Sequence, residues 1–236
     1  MRSYNPPQLC GNDTMHQPRV VLLFVCALMV CASPASAADA APAHPSLRFG
    51  AVLFQDDFRG GLSQWQIEAE RPGRITVRVG VLDIDVPAGT TLWFKHPLAG
   101  PVAIVFDATA VAAGGVNDRV SDLNCFWMAS NRGDVTPVYK HARSGRFADY
   151  NDLLTYYVGL GGNSNTTTRF RRYIGDPVLR PLLPEHDLSA RETLLVPNRS
   201  QTITLIADGS RIEYWRDNDR LFHFGDAQPY TRGWFA

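Results

Sequence analysis

The chain has 236 residues, and its 23 Lys and Arg residues balance its 23 Asp and Glu residues. A chain of this length can bury one apolar core of its own without disulfides or metals to hold it together. Nucleic-acid binding requires a basic surface, and a chain with balanced charge does not indicate one, so nucleic acid is not a predicted partner.

An apolar run from Val20 to Cys31 follows Arg19 and leads to small residues that end at Ala37. This order of features predicts a signal peptide over residues 1–37 that is cleaved on export to the periplasm or the medium. The run of about a dozen residues is too short for a membrane span, which needs roughly 20. Met15 is an alternative translation start, because the polar stretch before it serves no purpose in a leader.

Cleavage after Ala37 would remove three of the four cysteines and leave Cys125 alone, so no intrachain disulfide is expected. No His or Cys lies near Cys125 at metal-ligand spacing, and no zinc motif occurs elsewhere. We therefore predict no cofactor, with calcium as an open alternative in a loop that contains Asn163 and Asn165.

Residues 38–46 are rich in Ala and Pro and predict a flexible tether ahead of a single domain over residues 47–236. Within the domain, short β-rich runs alternate with Gly, Asn, Asp or Pro, and no long segment has a helical period. The runs before the C-terminal part are Gly50 to Phe54, Arg74 to Val79, Val81 to Val86, Thr91 to His96, Val102 to Val111, Asp122 to Ala129, Leu153 to Leu160 and Thr167 to Tyr173.

The clearest pattern lies between Thr202 and Phe224, where tight turns at Asp208-Gly209 and Asp217-Asn218 separate three alternating strands. This spacing, without crossover helices, predicts an all-β fold, an antiparallel two-sheet β-sandwich. The segment Pro229 to Phe235 resembles the beginning of one more strand, so the sandwich is expected to lack its last strand.

Four segments carry a resemblance to known proteins: Asp122 to Ala129, Tyr156 to Asn163, Asn165 to Tyr173 and Arg180 to Leu188. In these segments the domain resembles secreted bacterial proteins of the concanavalin A-like lectin and glucanase superfamily, in particular a family known only as a domain of unknown function. A more remote likeness is to small sandwich proteins of rhamnogalacturonan utilisation systems. The resemblance implies a concanavalin A-like jelly roll and a polysaccharide or oligosaccharide as the partner.

One sheet face of the domain concentrates polar chemistry. Side chains alternate along a strand, so a hairpin of the strands at 153–160 and 167–173 would place its odd-numbered residues on one face. With Phe170 in the core, that face is expected to be open to solvent. It would present Tyr157, Arg169, Arg171, Tyr173, Asn163 and Asn165.

Such a face suits an acidic sugar, because arginine binds a carboxylate in a bidentate fashion and tyrosine offers a ring and a hydroxyl. In a β-elimination, Arg169 or Arg171 would neutralise the uronate carboxylate. Tyr157, Tyr173 or His141 would exchange protons, provided that neighbouring cations lower a tyrosine pKa. A solvated surface with structural salt bridges is the competing interpretation of the same residues.

Three further residues complete the predicted binding surface. Asn124 and Trp127 lie in the strand before this hairpin, and Trp127 is either a core residue or a stacking platform for a sugar. His186, in a Pro-bounded loop, is either an ordinary surface residue or part of a loop that closes over the ligand.

Three functions remain open: a polysaccharide lyase or glycosidase, a non-catalytic carbohydrate-binding module, and a structural envelope protein. Hydrolysis would need two carboxylates in one cleft, and the sequence shows no paired-acid strand motif. Carbohydrate recognition or processing by an exported monomer is the leading hypothesis.

Overall fold

A computed structural model describes the backbone of residues 22–26 and all atoms of residues 44–179 and 186–236. The predicted start at Met15, the cleavage position at Ala37 and most of the tether lie outside these residues. Of the tether, residues 44–46 are described, and the ring of His44 packs edge-on against Trp215 at 5.0 Å between centroids.

The described chain is built almost entirely of strands, as predicted. Helical structure is confined to single turns at Val138–Lys140, Phe147–Tyr150, Gly162–Asn165 and Arg191–Thr193. The strands are β1 (Leu22–Cys26), β2 (Val52–Asp56), β3 (Trp65–Ala69), β4 (Arg74–Arg78), β5 (Val81–Asp85), β6 (Thr90–Phe94), β7 (Leu98–Ala99), β8 (Val102–Thr109), β9 (Leu123–Asn131), β10 (Leu153–Gly161), β11 (Thr167–Ile174), β12 (Asp187–Leu188), β13 (Ser200–Asp208), β14 (Arg211–Arg216), β15 (Asp219–Gly225) and β16 (Arg232–Gly233).

Two antiparallel sheets form the sandwich. The large sheet has the order β15-β14-β13-β8-β1-β2, and the small sheet has the order β12-β11-β10-β9. The predicted C-terminal meander is confirmed, because β13, β14 and β15 pair in sequence through tight turns. The predicted hairpin of residues 74–86 is also confirmed as β4 paired with β5.

The main core lies between the two sheets. The large sheet contributes the fully buried Ile104 and Leu205, and the small sheet contributes Trp127, Val158 and Phe170. These residues alternate with outward-facing neighbours, which is the period of two that the sequence predicted. Truncating a buried aromatic such as Trp127 to Ala would cost about 4 kcal/mol of unfolding free energy.

Residues 234–236 join the small sheet to the β3–β6 pair. Their backbone hydrogen-bonds to Phe126 and Ala129 of β9 on one side, and the carbonyl of Phe235 accepts from the amide of Phe94 on the other. Gly233 makes this approach possible, since a Cβ at this position would lie 2.2 Å from the carbonyl carbon of Met128. The segment that the sequence suggested as the beginning of a strand is therefore itself a bridge between strands.

The strand β1 lies inside the large sheet, between β2 and β8. It pairs with β8 from Leu22 opposite Phe106 to Cys26 opposite Val102, and with β2 along its other edge. The apolar run predicted as part of a leader thus contributes a strand to the sandwich.

Candidate functional site

The outer face of the small sheet carries the polar residues that the period of two predicted. The register places Asn124, Gly159, Arg169 and Asp187 in one row across β9, β10, β11 and β12. Phe126, Tyr157 and Arg171 form the neighbouring row. We call Asn124, Tyr157, Arg169, Arg171 and Asp187 the polar patch.

Part of this face is not open to solvent, contrary to the expectation from the sequence. Residues 132–152, the covering loop, fold over it and bury Val138 and Tyr150 against Phe126, Tyr157 and Tyr173 in a second apolar cluster. Tyr173 is only 1% exposed and Tyr157 9%. Alternation fixes which side chains share a face, but it does not show what packs on that face.

Glu68 of β3 anchors the covering loop. Its Oε2 atom accepts hydrogen bonds from the Tyr150 hydroxyl at 2.7 Å and from Trp93 Nε1 at 3.0 Å. Glu68 is 6% exposed, so this buried carboxylate depends on both donors for its solvation. The loop is therefore fixed in place over the sheet.

Gly159 makes room for the centre of the polar patch. The Tyr157 hydroxyl bends over this glycine and donates to Asn124 Oδ1 at 2.9 Å. A Cβ at position 159 would lie 2.3 Å from the Tyr157 hydroxyl oxygen, which no side chain could tolerate without displacing it. A hydroxyl, an amide and a bare stretch of backbone therefore lie together at the edge of the covered region.

The two arginines of the patch share one carboxylate. Arg171 Nη2 donates to Asp187 Oδ1 at 2.7 Å, and Arg169 Nε lies 3.5 Å from the same oxygen. The Arg171 side chain is 12% exposed, whereas that of Arg169 is 44% exposed. Arg169 is thus the more weakly paired and more accessible cation.

The pKa of Tyr157 moves in the opposite direction to the one that base catalysis requires. Burial raises the pKa of the hydroxyl well above its ordinary value, and the lowering effect of Arg171 does not offset this. The Tyr157 hydroxyl is therefore neutral at physiological pH and can donate a hydrogen bond or a proton.

Two predicted binding residues lie in the core. Trp127 is 0% exposed and packs against Tyr156 and Phe170, so it is a core residue and not a stacking platform. His186 is 5% exposed, and its ring packs edge-on against Phe170 at 4.8 Å between centroids. The surface position expected for His186 is wrong, because the chain after residue 185 turns in to pair β12 with β11.

The remaining predicted residues lie outside the patch. Asn165 is bonded through both amide atoms to the backbone of Leu195, and Asn163 donates to Thr167 Oγ1. His141 lies in the covering loop with its Nε2 atom 3.0 Å from Asp134. These contacts give Asn163, Asn165 and His141 local partners of their own.

Two members of the site were not predicted. Asp187 directly follows His186 in the sequence, and its contacts with both arginines follow from the pairing of β11 with β12. Phe147 is 42% exposed and lies against Tyr157 at 5.2 Å between ring centroids. The signal for Phe147 was weak, since it lies in an aperiodic loop.

A separate groove lies on the opposite layer, along the outer face of the large sheet. It is lined by Leu47, Arg48, Pro101, Asp208 and Arg211, among others. In the part of the chain that the structure describes, no three His, Cys, Asp or Glu side chains form a group that could hold a metal ion. No helix among the described residues is long and apolar enough to cross a membrane.

The fold defines a β-sandwich protein, and comparison with solved structures agrees. A Bacillus subtilis protein of unknown function with a galectin-like fold superposes with a TM-score of 0.57 at 14% identity, covering 78% of this chain and 86% of that one. The carbohydrate binding module CBM66 from Bacillus subtilis gives a TM-score of 0.44 at 8% identity, covering 73% and 86% of the two chains.

The family model described as "Domain of unknown function (DUF6250)" matches residues 84–236, and the chain belongs to this family. The predicted resemblance to a family known only as a domain of unknown function is thereby supported. No curated protein matches the chain.

Proposed function

We propose that the polar patch binds glycans and that the protein is an exported carbohydrate-recognition domain. The observation that carries the proposal is the row in which Gly159 leaves space for the Tyr157 hydroxyl and the Asn124 amide beside Arg169. Export rests on the predicted leader over residues 1–37.

The patch has the composition that a sugar requires. Sugar hydroxyl groups both donate and accept hydrogen bonds, and the patch supplies an amide, a phenol, two guanidinium groups and a carboxylate. These groups are held by the strand pairing and by contacts to one another, so little side-chain freedom is lost on binding. The exposed ring of Phe147 borders Tyr157 and offers an apolar surface for the C–H face of a sugar ring.

Charge favours an acidic sugar over a neutral one. The patch contains two guanidinium groups and one carboxylate, which leaves one cation in excess. Arg169 is the accessible member, and its 3.5 Å contact with Asp187 leaves its other nitrogens available for a bidentate bond to a uronate.

Binding without turnover is the function that the geometry supports best. A lyase needs a base for the C5 proton. The Tyr157 hydroxyl belongs to a side chain that is 9% exposed and already donates to Asn124 Oδ1 at 2.9 Å, and burial raises its pKa, so it stays protonated. The enzymatic alternative rests on the position of Tyr157 opposite Arg171, where a neutral hydroxyl could protonate a leaving oxygen.

The test measures the affinity of the full chain for polygalacturonate and for neutral dextran and galactan, with absorbance near 235 nm recorded for unsaturated products. Arg169→Gln should weaken polygalacturonate binding about 10-fold, which corresponds to about 1.4 kcal/mol. Arg199→Gln is the matched control, because Arg199 is 50% exposed and pairs with Asp217 next to the large sheet.

Equal binding by wild type and Arg169→Gln would contradict the proposed site, and the absence of glycan binding by wild type would contradict the function. Growing absorbance that Arg169→Gln abolishes would establish the lyase in place of the binding module.

A further inference from the structure

The large sheet has a gap between β2 and β8 that one strand can fill. β8 pairs with β13 along one edge and with β1 along the other, over the five positions from Val102 to Phe106. Among the described strands, β2 pairs with β1 alone. The connection of β2 to the sheet therefore runs through β1.

The segment that fills the gap is also the apolar part of the predicted leader. Cleavage after Ala37 would break the covalent link between Leu22–Cys26 and the domain, and the facing edges of β2 and β8 would lose their backbone partners once the segment dissociates. All five β8 residues at that edge are buried, so the unpaired amides and carbonyls would lie in a largely apolar setting. An extended apolar segment is the ligand that such a gap selects, by strand addition.

We propose that the gap between β2 and β8 is a strand-acceptor site whose occupant is Leu22–Cys26, and that cleavage of the leader makes this occupant exchangeable. The interaction is backbone pairing on both edges of the incoming strand, so a peptide with the sequence of this segment can take its place in trans. The proposal does not depend on glycan binding.

Hydrogen exchange on the uncleaved full chain tests the occupant. Phe24 pairs opposite Phe54 and Ile104 at the centre of β1, so Phe24→Pro removes an amide where both edges are paired. Peptides that cover β2 should exchange at least ~10-fold faster in Phe24→Pro than in wild type. Val30→Pro, four residues beyond the strand, is the matched control and should exchange as wild type does.

Faster exchange in Phe24→Pro supports the proposal if it is confined to β2 and β8. Faster exchange over the whole domain of Phe24→Pro supports it as well, provided that Val30→Pro does not show it. Exchange from β2 that is equally fast in wild type and in both variants would overturn it, because β1 would then contribute no protection.

A second experiment tests the acceptor with the wild-type strand. A protease recognition sequence placed between Ala37 and Ala38 of the full chain allows the leader to be cut after folding. The cut fragment should stay bound to the domain on gel filtration and leave when an excess of synthetic peptide covering residues 20–28 is added. The same peptide with Pro in place of Phe24 should not displace it. Immediate separation of the fragment, with an unchanged melting temperature of the domain, would overturn the proposal.

Discussion

The hydroxyl of Tyr157 lies over Gly159, at the point where a Cβ on residue 159 would be 2.3 Å away. Gly159→Ala should therefore displace the hydroxyl, break its bond to Asn124 and cost about 1–3 kcal/mol of unfolding free energy. Thermal melting and glycan affinity should fall together.

Gly225→Ala is the control for this substitution, because no atom lies within 4 Å of a Cβ at residue 225. It should change the unfolding free energy by less than about 0.5 kcal/mol. Similar losses in the two variants would show that the close approach at Gly159 has no special role.

Removing only the hydroxyl of Tyr157 separates binding from catalysis. Tyr157→Phe keeps the ring in its aromatic cluster and deletes the 2.9 Å bond to Asn124, at a cost of about 1 kcal/mol of unfolding free energy. If the protein is a binding module, Tyr157→Phe should lose part of its glycan affinity. If it is an enzyme, the variant should keep its affinity and lose turnover by about 100-fold or more, which is the effect of removing a general acid.

The control is Tyr139→Phe, since Tyr139 packs against Trp234 and lies outside the patch.

Because burial raises the pKa of Tyr157, the glycan affinity of wild type should also show no tyrosine titration between pH 7 and 9. A decline in that range that Tyr157→Phe abolishes would contradict the assignment of a neutral hydroxyl.

Asp226 should make the fold sensitive to acid. Burial acts to raise the pKa of Asp226, but hydrogen bonds from Tyr156 and Arg172, each 2.6 Å long, outweigh it and hold the pKa below its ordinary value. A lowered pKa means that the stabilisation is present above the unfolded-state value of about 3.9 and is lost as pH falls through the lower folded-state value.

The measurement is the melting temperature between pH 2 and 7. Asp226→Asn should be less stable than wild type at pH 7 by about 3 kcal/mol, and the difference should shrink below about pH 4. Asp208→Asn is the control, because Asp208 pairs with Arg211 at an exposed position. A difference between Asp226→Asn and wild type that is constant with pH would contradict the assigned ionisation.

The anchor of the covering loop can be removed at one residue. Glu68→Ala leaves the Tyr150 hydroxyl and Trp93 Nε1 without their acceptor and should cost about 3 kcal/mol. Chymotrypsin should then cut within residues 132–152 at least ~10-fold faster than in wild type.

Glu70→Ala is the matched control, because Glu70 follows the same strand and makes only a 4.0 Å contact with Arg146 at the surface. Equal protection of the loop in wild type and Glu68→Ala would show that apolar packing alone holds it.

The sequence predicted the strands whose period and turns are local. The meander from Thr202 to Phe224 and the pairing of Tyr157 opposite Arg171 follow from alternation and tight turns, which need no knowledge of distant residues. The sequence did not predict β3, although its residues alternate between apolar and polar. Its polar residue Glu68 is buried by partners that lie far along the chain, which a local pattern does not show. Tyr150, one of those partners, lies 82 residues away.

The site was predicted in its composition and not in its exposure. The face that holds Tyr157 and Tyr173 was correct, but an aperiodic loop gives no signal that it will fold back over a sheet. His186 was misplaced for a related reason, since a lone histidine between prolines is usually at the surface, and only the packing of Phe170, Phe222 and Phe224 shows otherwise.

The bridge formed by residues 234–236 sets the order in which the domain can be completed during synthesis. The β3–β6 hairpin is translated more than a hundred residues before its backbone partner Phe235. Residues 234–236 must therefore emerge from the ribosome before β6 and β9 can be joined, and until then the backbones of Phe94 and Phe126 have no strand between them. A nascent chain paused earlier would carry two unjoined sheet edges, which are the surfaces that a chaperone in the cell would have to cover.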